Sequence, residues 1–449
     1  MLPMTCPICC IHSGPMIKYT LGLLCFALFI LGIEVFMITI SKENIISYLK
    51  EHMPAFDDSL PAHISMIGEG TEEEDGDGYV NHIFRIRTDK EAYVLKQGLP
   101  LARISGAPMD MKRNGLEYDN LRIRWSIIPE YTPKPLFYDE DNNIFVMEDV
   151  SRLKVSRFQF NRNVMFENYG RKCGECAAKN EFYTSEFYLD REEFRRLMCR
   201  FDNTAMRKIM EDGMFLDRFE EPTEDRFGEG FREFADLFSR DSRYVTELFK
   251  LRRSYMTHTD ALIHADYHTS NILVSEEEMK VIDMEFSFMG PFGYDIGYLA
   301  GNLISQYCAA CFKPFPSEEE RKTFKAYLLA TIKTMYYSYF LTFTECWNED
   351  AKPRYANQNG LRRSIFDEVM TASVGYASMV NWFRSASVIP YPDFDVIEDV
   401  YARRNAVTLS LLIDWQIMFD RYGYQSVDDL IDTILLMEKN FFKMLKING

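Results

Sequence analysis

The sequence is short of basic residues, of cysteine and of long apolar runs, and each shortage closes off a class of protein. Its 51 lysines and arginines stand against 68 aspartates and glutamates, a formal net charge of −17. A surface with that balance repels phosphate backbones, which argues against nucleic acid as the main partner. It leaves room for a nucleotide pocket, where a few local cations and a divalent metal suffice. The ten cysteines are thinly spread over 449 residues, unlike a disulfide-stapled domain. Two pairs, Cys173/Cys176 and Cys308/Cys311, have C-x-x-C spacing. No short spacer joins them into one zinc site, and buried cysteine packs as a small hydrophobe, so they read as reduced thiols. Internal repeats and low-complexity tracts are missing too, and the bulk of the chain reads as cytoplasmic.

One apolar run is long. Tyr19 to Ile40 is broken by a single acid, Glu34, and ~20 apolar residues can cross a bilayer. Three readings compete for it: a membrane anchor, a packed N-terminal helix, and an extension upstream of a shorter protein. A small-x-small cleavage site does not follow it, as a signal peptide would require.

What is present fits a chain of two lobes, with 47% hydrophobic residues and a length beyond one ordinary core. Residues 1–41 form an N-terminal extension. Within 42–150, a helix is expected over 42–53, then strands near 64–67, 80–87 and 92–97. Polar or glycine-bearing turns separate the strands, the pattern of an antiparallel meander. A helix over 107–124 and a short strand at Ile144–Met147 complete this lobe. Residues 151–449 read as helical, with polar breaks near 190, 203, 222 and 241. The exception is 261–297, where three short strands are joined by polar turns. Helices are expected over 317–345, 360–385 and 397–446. The fold class is α+β, a small sheet-rich lobe followed by a large helical one.

The chemistry-bearing residues gather in that exceptional stretch. Asp266, with Asn271 five residues later, has the spacing of a kinase catalytic loop. Phosphoryl transfer needs a carboxylate to orient or deprotonate the attacking hydroxyl, and an amide oxygen near a metal. Asp283 and Glu285 follow a buried strand, placed to bind Mg²⁺ that bridges nucleotide phosphates. Each alone would pass for a turn residue; their order and spacing point to function. Lys96, on the strand after Gly76 and Gly78, is the candidate for the α- and β-phosphates of ATP. Glu117, on the next helix, is its candidate partner. Asp295 has two readings, a hydrogen bond to the catalytic-loop backbone or a helix N-cap.

The segment Leu262–Thr269, the Asp283-Met284-Glu285 that follows and the text from Phe286 to Gly297 resemble the 5-methylthioribose kinases. That family belongs to the protein-kinase-like superfamily, together with aminoglycoside phosphotransferases and choline kinases. Gly76, Gly78 and Asn81 resemble its glycine-rich loop, Lys96-Gln97 its lysine strand, and Met147–Ser151 its hinge. The resemblance covers roughly 42 to 445. It implies a bilobal kinase fold and transfer of the γ-phosphoryl of ATP to the 1-hydroxyl of 5-methylthioribose, in methionine salvage. It implies Asp266 as base, Asn271, Asp283 and Glu285 as Mg²⁺ ligands, and adenine bound through the backbone of Glu148 and Val150. Arg384 would act on substrate or the transferred group, and the protein would be a homodimer. Three departures stand out. Ala265 replaces a glycine before the catalytic aspartate, Phe383-Arg384 replaces an arginine pair, and the apolar N-terminus has no counterpart. They motivate two alternatives, a kinase with another hydroxyl acceptor and a membrane-tethered nucleotide-binding pseudokinase.

Overall fold

In the computed structural model, residues 37–54, 56–68, 80–216, 236–238, 240–386 and 392–448 are described. The Tyr19–Ile40 run, up to residue 36, lies outside them, as do Gly76 and Gly78. Among the described residues no helix is long and apolar enough to cross a membrane.

A helix α1 (Ile45–His52) precedes three strands, β1 (His63–Met66), β2 (His82–Arg87) and β3 (Ala92–Gln97). Helix α2 (Arg113–Ile127) and strands β4 (Pro135–Asp139) and β5 (Ile144–Glu148) follow. The five strands form one sheet in the order β1-β2-β3-β5-β4, every pair antiparallel. β3 and β5 lie inside it, and Leu95, Ile144, Phe145 and Val146 are wholly buried. β4 lies outside the expected set because Pro133 and Pro135 read as breaks. Pro135 is tolerated because it opens an edge strand, where a missing N–H costs no ladder bond.

The helical lobe begins with β6 (Lys154–Val155), α3 (Ser156–Asn161), α4 (Tyr169–Tyr183), α5 (Arg191–Arg200), α6 (Thr204–Phe215) and α7 (Ser242–Thr257). Asp190 builds a full capping box at the start of α5, Asn203 stands at the N-cap of α6, and Asp241 caps α7, so three of the expected polar breaks are helix starts. Then come β7 (Ala261–Ile263), β8 (Ile272–Val274), β9 (Met279–Val281) and β10 (Phe288–Gly290). Among the described residues β7 pairs only with β10. Its other edge is satisfied by side chains of the α4 region: Asn180 donates to the Leu262 carbonyl at 2.6 Å, and Thr184 accepts from the Leu262 amide at 3.0 Å. β8 stands between β6 and β9.

Five long helices follow: α8 (Tyr294–Ala310), α9 (Glu318–Asp350), α10 (Asn359–Ala386), α11 (Val400–Asp420) and, after a short 3₁₀ turn at Arg421–Gly423, α12 (Val427–Asn448). Every residue of α8 is buried, as expected of a helix that is apolar nearly all round. It lies against α10 at backbone range, because a Cβ on Gly297 or Gly301 would collide with the carbonyl of Ser373 or Ala377. The expected helix over 397–446 is two helices, the chain turning at Gly423. The expected helix over 107–124 starts only at Arg113, and Ala107–Lys112 is loop. Cys173, Cys176, Cys308 and Cys311 are buried free thiols.

Candidate active site

Lys96 faces the helical lobe from β3. Its Nζ lies 2.7 Å from Glu117 Oε2 and 2.6 Å from Asp283 Oδ1. Lys96 and Glu117 are both buried. Burial works against the Lys96 charge, but Asp283, Glu117 and Glu285 outweigh it and hold the ammonium above its ordinary pKa. Burial pushes Glu117 up; Lys96 opposes that, and Asp283 and Glu285 add to it. Glu285 is raised by burial in the same way.

Glu285 is reached from the sheet lobe by two groups. Asn81 Nδ2 donates to its Oε2 at 2.9 Å, and Arg113 Nε lies 3.6 Å from the same oxygen. Arg113 also donates to Asn81 Oδ1, at 2.8 Å from Nη2. One oxygen each from Glu117, Asp283 and Glu285 fall within 4.8 Å of one another. Such a set of hard oxygens suits Mg²⁺. Lys96 and Arg113 bring two positive charges to three carboxylates, and a cation would offset the remainder.

Asp266 lies on the loop between β7 and β8, whose Asn271 carbonyl accepts from the Ile282 amide beside Asp283 at 3.0 Å. Asn271 Nδ2 donates to the Asp266 carbonyl at 3.0 Å and to its Oδ2 at 3.2 Å. His268 Nε2 lies 3.3 Å from Oδ2, and Arg384 Nη2 lies 3.9 Å from Oδ1. The Ser270 amide donates to His268 Nδ1 at 3.1 Å, so a neutral imidazole carries its proton on Nε2 and offers it to Asp266. Burial would raise Asp266, but His268 and Arg384 overcome it and hold the carboxyl well below the usual range. Oδ1 is buried without a hydrogen-bond partner among the described residues, an acceptor left for an incoming hydroxyl.

The loop is held from behind. Asp295 accepts from the His264 amide at 2.7 Å and the Ala265 amide at 2.9 Å. Gly293, not Asp295, is the N-cap of α8, so the loop-holding alternative is the one realised. Burial is the main cause that raises Asp295, to about 6. Ala265 has φ 65° and Asp283 has φ 66°, the left-handed region that only glycine enters freely. The glycine expected before Asp266 thus answers a backbone demand that Ala265 meets under strain.

The structure brings Lys96, Glu117, Asn81, Asp283 and Glu285 together, and Asp266, Asn271 and Arg384 together. Glu148 and Val150 sit where the sheet ends: the Glu148 amide donates to the Lys134 carbonyl at 2.9 Å, and the Val150 carbonyl accepts from Leu153 at 2.9 Å. Arg113 and Asn203 were not legible beforehand. Asn203, itself at φ 45°, donates to the carbonyls of Glu285 and Ser287, both at 2.9 Å. An asparagine directly before a helix was the one available sign.

A five-stranded antiparallel lobe, a helical lobe and a buried strand lysine paired with the aspartate of an Asp-x-Glu mark a protein-kinase-like phosphotransferase acting on a hydroxyl group. Residues 196–330 match the model of the phosphotransferase enzyme family. The methylthioribose kinase of Geobacillus sp. (strain WCH70) is 32% identical over 379 residues, 83% of this chain and 92% of that one. The methylthioribose kinase of Bacillus cereus (strain B4264) is 30% identical over 358 residues, 79% of this chain and 88% of that one. Among solved structures, choline kinase from Cryptosporidium parvum Iowa II is similar at TM-score 0.45 and 13% identity, over 90% of this chain and all of that one. The chain belongs to the methylthioribose kinase family.

Proposed function

We propose that this protein transfers the γ-phosphoryl group of ATP to the 1-hydroxyl of 5-methylthioribose, a step of methionine salvage. The observation that carries the reading is the pairing of Lys96 with Asp283, whose neighbour Ile282 bonds to Asn271 of the Asp266 loop, in a chain that aligns with 92% of the length of a methylthioribose kinase. Asp266 orients the hydroxyl through Oδ1 and accepts its proton as the hydroxyl oxygen bonds to the γ-phosphorus and the bond to ADP breaks. Against burial, His268 and Arg384 hold the carboxyl below the usual range, which keeps it ionised and able to accept. Asn271 and His268 fix the carboxylate.

Lys96 serves the α- and β-phosphates, with Glu117 holding it in place. Asp283 and Glu285, with Asn271, would hold Mg²⁺, which when bound neutralises charge on the β- and γ-phosphates. Gly76 and Gly78 would cover those phosphates, and Asn81, directly before β2, is bonded to Glu285. The backbone of Glu148 and Val150 would receive adenine. Arg384, beside Asp266, would stabilise the transferred group. The enzyme works in the cytoplasm, where its ATP is.

A second reading keeps the chemistry and changes the acceptor. Phe383 stands where the family has an arginine, and its ring lies 5.7 Å from the Arg384 guanidinium. A panel of sugar, amino-alcohol and aminoglycoside acceptors decides between the two. The main reading is tested by ADP release from purified protein with Mg²⁺-ATP and methylthioribose. Asp266→Ala should lower turnover by about 10² to 10⁴-fold. No ADP formation by the wild type, beside an active kinase control, would end the reading.

A further inference from the structure

Asp393 lies beyond the helix that bears Arg384 and is wholly buried. Its Oδ2 accepts from Asn302 Nδ2 at 2.7 Å, and its Oδ1 accepts from Gln306 Nε2 at 2.6 Å. Arg157 Nε lies 3.4 Å from the same Oδ1. Asn302 turns its other face to the catalytic loop, where its Oδ1 accepts from the Thr269 amide at 3.0 Å and from Thr269 Oγ1 at 2.5 Å. Arg157 reaches the same threonine, its Nε 3.3 Å from Oγ1 and its amide donating to the Thr269 carbonyl at 3.1 Å. Asp393, Asn302, Thr269 and Arg157 thus close a buried ring, and Thr269 stands between Asp266 and Asn271.

The Asn302 amide is oriented from two sides, by Asp393, which as a carboxylate only accepts, and by the Thr269 N–H, which only donates. A carboxylate only accepts, whereas an amide can present either end. With Asp393 ionised, Asn302 must aim Nδ2 at it and Oδ1 at Thr269. With the amide reversed, Nδ2 would face the Thr269 N–H, donor against donor, at a cost of about 1–3 kcal/mol for each buried group left unpaired.

We propose that Asp393 is a positioning residue for phosphoryl transfer, which fixes the amide of Asn302 and through it the loop that carries Asp266 and Asn271. It touches neither substrate nor nucleotide. The inference rests on Asp266 being the catalytic carboxylate. Loss of activity in Asp266→Ala tests that reading separately, in a variant that leaves the ring intact.

The experiment uses the full chain and follows ADP formation with methylthioribose. Asp393→Asn places a donor against Asn302 or Gln306, so kcat should fall about 10 to 100-fold, the scale of a slightly misplaced catalytic group. The KM for ATP should change less than kcat, by at most about 3-fold, since Lys96, Asp283 and Glu285 keep their contacts and only Asn271 lies on the displaced loop. The double exchange Asn302→Asp with Asp393→Asn moves the carboxylate one place along the ring. Position 302 then accepts from Thr269 and from the new amide at 393, and every donor again meets an acceptor. It should regain most of the lost kcat, to within about 3-fold of wild type if donor order is what matters. A folded Asp393→Asn with wild-type kcat overturns the proposal, as does a double exchange no faster than the single. If Asp393→Asn does not fold, the double exchange carries the test alone: a kcat within about 3-fold of wild type supports the proposal, and a folded double exchange more than about 10-fold slower overturns it.

Discussion

Lys96 Nζ lies 2.6 Å from Asp283 Oδ1, which joins the sheet lobe to the loop that follows β9 across 187 residues of chain. The same ammonium holds Glu117 of α2, so one charge ties strand, helix and loop at the mouth of the site. The lysine proposed to serve the nucleotide phosphates therefore also bears on stability.

Replacing Lys96 by methionine should therefore cost both. Removing one partner of a buried ion pair destabilises by about 3–5 kcal/mol. Glu117 and Glu285 are already raised by burial, so protonation can relieve part of the loss. The destabilisation measured by urea melts should be smaller at pH 5 than at pH 7. A loss that does not depend on pH would show that carboxylate crowding is not its source. Lys96→Arg should not restore activity, because a planar guanidinium does not fit a site made for a compact ammonium.

Ala265 is the second point of strain. A left-handed alanine costs roughly 1–2 kcal/mol, while its buried methyl group returns about 0.8 kcal/mol. Ala265→Gly should leave stability within about 1 kcal/mol of wild type, where the same change at a relaxed buried alanine destabilises. Ala265→Val should destabilise clearly more, because a β-branched side chain tolerates positive φ least. A loss above about 2 kcal/mol for Ala265→Gly, read from chemical denaturation, would contradict the strain account.

Two buried groups beside the loop give opposing pH dependences. Asp295 is raised to about 6, so between about pH 4 and 6 the native state binds more protons than the unfolded chain. Its contribution to stability therefore falls as pH rises through that window. His264 is lowered to about 4, chiefly by burial. Between about pH 4 and 6.5 the unfolded chain binds the extra proton, and that contribution rises with pH. The two slopes offset each other in the wild type. Asp295→Asn removes one of them, so the stability of that variant should climb more steeply from pH 4.5 to 6.5 than that of the wild type. Parallel profiles would show that Asp295 does not titrate there.

Gly297 sets the approach of α8 to α10. Gly297→Ala forces its new methyl group against the Ser373 carbonyl and should cost about 1–3 kcal/mol, as overpacking does. Because α10 carries Arg384, kcat should fall with it, while an alanine at the exposed Gly360, which has open space around it, should leave kcat unchanged. Differential scanning calorimetry and the ADP assay check the two halves.

The local part of this architecture was legible. The β2–β3 meander announced itself through alternation and turn residues, and the Asp266, Asn271, Asp283 and Glu285 spacing through one compact stretch. β4 was hidden because a proline that breaks a central strand is harmless at an edge. The start of α2 was placed too early because Met111 continues its apolar pattern into a segment that the chain uses as loop.

The sequence by itself determined the order of the chemical groups, since a loop between short strands brings residues five or twelve positions apart into one cleft without help from elsewhere. Only the tertiary structure decided what holds them. Asn81 reaches Glu285 across 204 residues, Asp393 governs Thr269 through Asn302, and Asp295 bonds the loop rather than capping its helix. Such partners have no periodicity, because a buried hydrogen bond depends on which surfaces meet and not on where its two ends lie along the chain.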